Sequence, residues 1–236
     1  MAITILGPVS SFANNGAAAT VNLSGLSLVE NDIVIVSSAA PSVTGSAPTV
    51  SSPSGVYTGI QNHTGSAANR PTIASWYRVQ PATPDSSVTV TGDTSANTDT
   101  TVTAIGLRGA DTSTIFDATY QTAGETASAT PDAPTIITAT DGAVVVILCC
   151  HSGTTAAAIT VPAAYSGNSV VQAGSDTVDH QHGMAAREVA SHGTENPAAW
   201  TGGTAASYWY AVTIAVKPYS TAPLTYTASD DLNGVF

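Results

Sequence analysis

Short runs of β-branched residues recur along the whole sequence, and Gly, Pro, Asn or Asp stand between them. This pattern is typical of strands that are separated by turns. Stretches of Glu, Lys, Arg and Leu at helical spacing, which would predict helices, do not occur. The sequence therefore predicts an all-β chain, and its 236 residues are enough to bury a complete core.

The predicted strands are short, numerous and fairly regularly spaced, which favours an antiparallel two-sheet β-sandwich of jelly-roll type. Residues 1–218 are interpreted as a single sandwich domain and residues 219–236 as a C-terminal extension. We find no internal repeat in the sequence. The predicted strands are 17–23, 32–38, 56–61, 71–79, 86–91, 100–108, 115–120, 133–139, 143–150, 158–161, 170–173, 184–190 and 205–217.

Two of these strands have the clearest patterns. The run from Ala143 to Cys150 is apolar on both faces, which predicts a central strand that is covered on both sides. In 205–217 the alternation directs one set of side chains to the core and places Trp209 on the other face, under a loop or at a partner surface. The core set is Tyr208, Tyr210, Val212, Ile214 and Val216.

The charge balance excludes some partners. Five Lys and Arg against sixteen Asp and Glu give a net charge of -11, so no basic surface is predicted that would displace counterions from nucleic acid. The longest apolar run, Ala143 to Cys150, is far shorter than the roughly 20 residues that span a bilayer. Neither nucleic acid nor a membrane is therefore an expected partner.

The compartment signals of the sequence point in two directions. Residues 1–8 lack the basic and long apolar regions of a secretory signal, and Cys149 and Cys150 are interpreted as buried thiols because neighbouring strand residues face opposite ways. These features indicate synthesis in the cytoplasm. A sandwich rich in Ser, Thr and Gly and poor in Lys is instead typical of extracellular proteins. A phage virion protein, which folds in the bacterial cytoplasm and works in the virion outside it, satisfies both.

A histidine-rich segment at 179–182 is the sharpest candidate for chemistry. His180 and His182 share one face of a predicted strand and, with His192, are candidate metal ligands. Glu188 lies six residues past His182, which does not match the spacing of the cupin metal motif. The favoured interpretation is a polar, solvated loop, and Cys149, Cys150 and His151 are a weaker alternative site. We therefore predict neither a metal nor a cofactor.

The sequence gives no sign of an enzyme. It contains no Gly-x-Ser-x-Gly nucleophile turn, no recognisable Ser/His/Asp signature and no phosphate-binding loop. Catalytic residues are therefore not predicted. A binding function is still open, because Trp76, Trp200 and Trp209 could supply an aromatic surface for a partner or a glycan. The alternative is that these tryptophans belong to the core.

Several framework motifs have a recognisable pattern. The chain resembles small β-sandwich proteins encoded by tailed bacteriophages, over roughly residues 30–218. The resemblance implies a position on the virion, as a head decoration or a tail-associated component, and carries over no catalytic or ligand residue. The motifs are SWYRV at 75–79, AIGLRG at 104–109, DGAVVV at 141–146, NPAAWTGG at 196–203 and AVKP at 215–218.

The resulting expectation is a capsid decoration or cement protein that stabilises the phage head. It would bind the major capsid protein and other virion proteins, and form a closed homo-oligomer. The C-terminal extension would act as an assembly arm or add an edge strand to its own sheet, and its apolar residues are Leu224, Tyr226, Leu232 and Phe236. The alternative function is a binding module on the tail or head surface, of the fibre or receptor-binding kind, that recognises host glycans.

Overall fold

The computed structural model describes residues 2–13, 18–41, 55–65, 70–91, 99–153, 159–173, 179–203 and 207–220. These ranges form fourteen strands and one 3₁₀ turn, Ser24–Leu26, and every strand pairing is antiparallel. The predicted all-β antiparallel sandwich is confirmed. The strands are β1 (Thr4–Ala13), β2 (Ala19–Asn22), β3 (Ile33–Pro41), β4 (Thr58–His63), β5 (Pro71–Val79), β6 (Ser87–Val90), β7 (Thr100–Arg108), β8 (Phe116–Ala127), β9 (Ile136–Thr138), β10 (Ala143–Gly153), β11 (Ser166–Ala173), β12 (Asp179–Val189), β13 (Gly193–Glu195) and β14 (Tyr208–Val216).

Some strand predictions were wrong in instructive places. Strand β1 was missed because it contains Gly7-Pro8, a pair that argues against a strand, and the register of β1 on β7 shifts at this point. Of the predicted strand 158–161, residue 158 lies outside the described residues, and residues 159–161 form only an isolated bridge between Thr160 and Thr201. The predicted strand 115–120 corresponds to β8, which continues seven residues further, to Ala127.

The two large sheets come from the two halves of the chain. The first has the strand order β1-β7-β3-β5-β4, and the second, read from its β8 edge, has the order β8-β14-β10-β12-β11. Each strand of the second sheet thus takes the place of the strand seven positions earlier, and the pairs β2-β6 and β9-β13 match in the same way. The fold is a structural duplication that the sequence analysis missed. Jelly-roll connectivity is not confirmed, because each sheet is formed by one contiguous half.

The halves pack through the same face of each large sheet. In the first half β1 packs against β11, and the equivalent strands β8 and β4 border one surface groove on the opposite side. These reciprocal contacts describe a pseudo-two-fold axis, as in an isologous dimer interface. Register supports the equivalence, because Ile33 lies opposite Leu107 just as Val144 lies opposite Val216, and all four enter the core between the sheets.

Three apolar clusters hold the layers together. The central core lies between the two large sheets. A second core lies between the first sheet and the β2-β6 pair, and a third between the second sheet and the segments around β9 and β13. Strand β10 contributes to two of them, with Val144 in the central core and Val145 in the outer one, both fully buried. The prediction of a central strand that is covered on both faces is confirmed.

Candidate functional site

The central core has a polar end that contains two histidines. Strand β12 directs Met184 into the apolar part of this core, and alternation places His182 and His180 on the same face nearer the start of the strand. Both imidazoles are fully buried, because β10 and β11 flank β12 and the first sheet covers its face. The interpretation of 179–182 as a solvated loop is therefore wrong.

Hydroxyl groups of the opposite sheet bind these imidazoles. Thr101 Oγ1 lies 3.1 Å from the Ala39 carbonyl oxygen, to which it donates, and it lies 3.0 Å from His180 Nε2 and 3.3 Å from His182 Nδ1. Since its one proton is used, Thr101 accepts from both rings. Ser37 Oγ lies 2.9 Å from His182 Nε2 and 3.3 Å from the Ala74 carbonyl oxygen, and it donates to the nitrogen when that ring is neutral. This network can be formed with both rings neutral, and His180 Nδ1 has no hydrogen-bond partner among the described residues.

Burial determines the protonation of the pair. It lowers the pKa of His180 to about 4, and the Ala39 carbonyl opposes this shift only in part. Burial, followed by repulsion from His180, lowers the pKa of His182 to about 3. Both rings are neutral at pH 7, and neither reaches solvent, so a dissolved substrate has no access to them.

The three candidate metal ligands are not brought together. His192 lies on the surface beyond the far end of β12, where its Nδ1 is 2.6 Å from Asp141 Oδ1. The nine residue-to-residue steps from His180 to Val189 alone span roughly 30 Å of strand. Within the described ranges, no group of three or more His, Cys, Asp or Glu residues is arranged to hold a metal ion.

The two cysteines lie on opposite faces of β10, as predicted. Cys150 belongs to the central core and Cys149 to the outer core of the second half, and both are free thiols. Burial raises the pKa of each thiol above its ordinary value. His151 follows on the outer face, where its Nε2 lies 3.1 Å from the Ser128 carbonyl oxygen. The weaker alternative site therefore does not converge on one point.

The three tryptophans are core residues, so the prediction that they form a partner or glycan surface is wrong. Trp76, Trp200 and Trp209 are 7%, 0% and 7% exposed. Each lies on the outward face of a large sheet or against it, where a second layer covers the sheet and leaves space for a large side chain. Trp200 packs against Gly183, at which an added Cβ would lie 2.4 Å from the indole Cζ3 atom.

A cluster of tyrosine, carboxylate and arginine occurs once in each half. Tyr57 donates to Asp85 at 3.0 Å, and Arg78 Nη1 lies 2.8 Å from both oxygens of that carboxylate. The equivalent contacts in the second half are Tyr165 to Glu195 at 3.0 Å and Arg187 to Glu195 at 2.6 Å. The guanidinium carbon lies 5.8 Å from the ring centroid in the first cluster and 5.6 Å in the second.

In each half, this cluster links the residue before an edge strand to the adjacent strand of the sheet. Each tyrosine directly precedes an edge strand, β4 or β11, and each arginine lies on the adjacent strand, β5 or β12. Burial and the neighbouring carboxylate raise the pKa of both tyrosines well above the ordinary value, so neither ionises at neutral pH. Their duplication at matched positions indicates a shared structural role, which the sequence analysis missed because the acid differs between the halves.

Removing the arginine should destabilise the second cluster more than the first. The side chain of Glu195 is 7% exposed and that of Asp85 is 21% exposed, so Arg187→Met strands a more deeply buried carboxylate than Arg78→Met. We expect a loss of about 2–3 kcal/mol for Arg187→Met and about 1 kcal/mol for Arg78→Met. Urea denaturation at pH 7 measures both, and equal losses would contradict this ranking.

The first and last described segments meet at one end of the molecule. Ile3 is buried in the central core, Pro218 bridges to Ala110, and the Tyr219 amide donates to the Gly109 carbonyl oxygen at 2.9 Å. A surface pocket beside them is lined by residues from both segments, including Ala2 and Ser220. The chain is therefore held in place up to Ser220, next to its own N-terminal segment.

The predicted assembly arm continues from this point. Its apolar residues Leu224, Tyr226, Leu232 and Phe236 lie outside the described residues.

Among the described elements, no helix has the length and apolar character needed to cross a membrane. No protein-family model, no curated protein and no solved structure matches the chain. The likeness to phage virion proteins stays a prediction from the sequence motifs.

Proposed function

We propose that this protein is a structural component of a tailed-phage virion, a decoration or cement protein that attaches to the capsid at the end where its first and last described segments meet. The observation that carries the proposal is that buried Ile3 and the backbone contacts of Pro218 and Tyr219 lie at this one end. A body whose first and last described segments lie on one side has an attachment side and an outward side. This arrangement suits a protein that is seated on a surface.

The segment after Ser220 supplies the reach that attachment to a neighbour requires. It contains 16 residues, which span about 50 Å when extended. From Leu224 to Thr227 its sequence alternates apolar and polar residues, so that in an extended conformation Leu224 and Tyr226 would share one face and Thr225 and Thr227 the other. Such a segment can pair with an exposed sheet edge of the major capsid protein or of a second copy.

The body of the protein suits a mechanical role. Three stacked apolar cores join four layers, and both Tyr–carboxylate–Arg clusters fasten edge strands. A ligand that binds only the intact shell stabilises that shell, and the stabilisation grows with the ratio of the free ligand concentration to the dissociation constant. A protein of this kind therefore works by binding several capsid subunits at once, and it needs no catalytic group.

The test is removal of residues 221–236, which leaves the contacts of Pro218 and Tyr219 intact. We expect the truncated protein to keep its thermal unfolding midpoint and to lose at least tenfold in affinity for phage particles that lack the native copy. Electron microscopy of particles mixed with each protein measures the occupancy. Unchanged occupancy on the particles would sink the attachment proposal.

Two matched double variants test whether attachment depends on the sequence of this segment or only on its length. Leu224→Ser with Tyr226→Ser removes the apolar face, whereas Thr225→Ser with Thr227→Ser changes only the polar face. We expect the first pair to reproduce the truncation and the second to bind like the wild type. Equal binding by the two variants would show that the alternating face is not what the particle recognises.

A further inference from the structure

The histidine pair breaks the pseudo-symmetry of the central core. His182 lies opposite Cys150 in the second sheet, just as Ile73 lies opposite Ala39 in the first, so Ile73 is its pseudo-symmetric equivalent. By the same register, Ser37 is the equivalent of Leu148. The residue pairs Ile73–Leu148 and His182–Ser37 are therefore related by the pseudo-symmetry. The first pair belongs to the apolar core, whereas the second is joined by a hydrogen bond. The duplicated fold does not require histidine here.

Polar groups dominate this end of the interface. Two further hydroxyls face it without a hydrogen-bond partner among the described residues, Ser75 Oγ on β5 and Thr103 Oγ1 on β7. The titratable groups on the facing strands are Cys150 on β10 and Asp99, which is buried at the start of β7 on the face of Thr101. The sequences of β1, β3 and β11 contain no titratable residue. The hydrogen-bond partners of the two imidazoles are uncharged groups: the hydroxyls of Ser37 and Thr101 and, for His180, also the Ala39 carbonyl.

We propose that the polar end of the central core is an acid-sensitive latch between the two halves of the molecule. Proton uptake by His180 and His182 opens this end, while the opposite end, which contains Ile33, Leu107 and Val216, stays closed. A protonated His180 places a second N–H where Nδ1 now lies without a partner. In an opened state the same ring is hydrated, and the proton binds at the ordinary affinity of histidine.

The size of the effect decides how much of the interface opens. Each buried imidazole favours the opened state tenfold for every pH unit below about 6.5, so the pair favours it about 1000-fold at pH 5. A shift of this size is comparable with the cost of local openings in folded proteins. It is too small to separate the aliphatic side chains at the other end of the core.

Cys150 and Cys149 make the latch measurable. Cys150 faces the central core beside His182, and Cys149 faces the outer core of the second half. Opening of the latch therefore exposes one thiol and leaves its neighbour buried. The probe is 4,4′-dithiodipyridine, applied to Cys149→Ala and Cys150→Ala variants, with each rate divided by that of glutathione at the same pH.

We expect the normalised rate of Cys150 to rise about 100-fold per pH unit between pH 6 and pH 5, and that of Cys149 to stay slow. His182→Ile, which installs the pseudo-symmetric residue, should reduce the rise to about tenfold per unit, and His182→Gln should do the same with a polar side chain. His192→Ala, which removes an exposed imidazole, should leave it unchanged. A Cys150 rate that does not change with pH overturns the latch, and so does equal labelling of Cys149, which indicates unfolding of the whole half.

Discussion

The free energy of unfolding should fall by about 2.7 kcal/mol for each pH unit from about pH 6 down to pH 4.5. The cause is the histidine pair, whose pKa values lie at about 4 and about 3 in the folded chain and near 6.5 in the unfolded chain. Below pH 6.5 the unfolded chain takes up two protons that the folded chain refuses. The stabilisation is complete above this pH and is lost as the pH falls towards the folded values.

Urea denaturation at pH 7.0 and 5.0 measures this loss, which should reach about 4 kcal/mol. His182→Ile should remove about half of the pH dependence, and His192→Ala should leave it unchanged because that ring is exposed. Protonation of carboxylates begins to affect the free energy of unfolding only near pH 4. There it stabilises the fold, because it relieves the repulsion within a chain of net charge -11. Equal stability at the two pH values would show that the pair is hydrated or charged in the native state.

A second large effect should follow from the contact between Trp200 and Gly183. Trp200→Ala removes a fully buried indole, and we expect a loss of about 3–5 kcal/mol. Gly183→Ala should cost about as much for the opposite reason, because the new Cβ would lie 2.4 Å from Cζ3 and 2.6 Å from Cη2 of the indole. Both rings of the indole are fixed by their layer, so the clash cannot be relieved by a small rotation.

The pair can be tested as a double-mutant cycle. Gly183→Ala in a Trp200→Leu background should cost less than about 1 kcal/mol, because the shorter side chain leaves room for the methyl group. Chemical denaturation of the four proteins gives the coupling energy. Additive losses in the double variant would mean that the two residues do not share this space, and the placement of Trp200 over β12 would then be wrong.

The sequence predicted the fold class and the buried strand β10 because both depend on local patterns. Ala143 to Cys150 is apolar at every position, so its burial needs no knowledge of its neighbours. The histidines gave the opposite result. Asp179-His180-Gln181-His182 is polar at every position, and its burial depends on Ser37, which is 145 residues away in the chain. A solvated loop was the natural interpretation of the local pattern.

The duplication was hidden for a related reason. A packed sheet requires alternating apolar and polar side chains and a suitable side-chain volume at each core position, but not a particular residue. Ile33 and Val144 can therefore occupy equivalent positions although the two halves share no recognisable sequence. The recurring cluster was the one available signal. Tyr57, Arg78 and Asp85 are separated by 21 and 7 residues, and Tyr165, Arg187 and Glu195 by 22 and 8. An exchange of Asp for Glu and two one-residue changes in spacing were enough to conceal it.

The division of the two sheets between the halves of the chain also bears on synthesis. Residues up to about 110 complete the first sheet and its outer layer, and they are synthesised roughly 6–25 s before the second half is finished. During that interval the face that carries Ile33, Ile35 and Leu107 has no cover from its own chain. The second half of a neighbouring nascent chain presents the matching face. Dense translation of one message therefore favours exchanged dimers, in which each chain completes the core of the other.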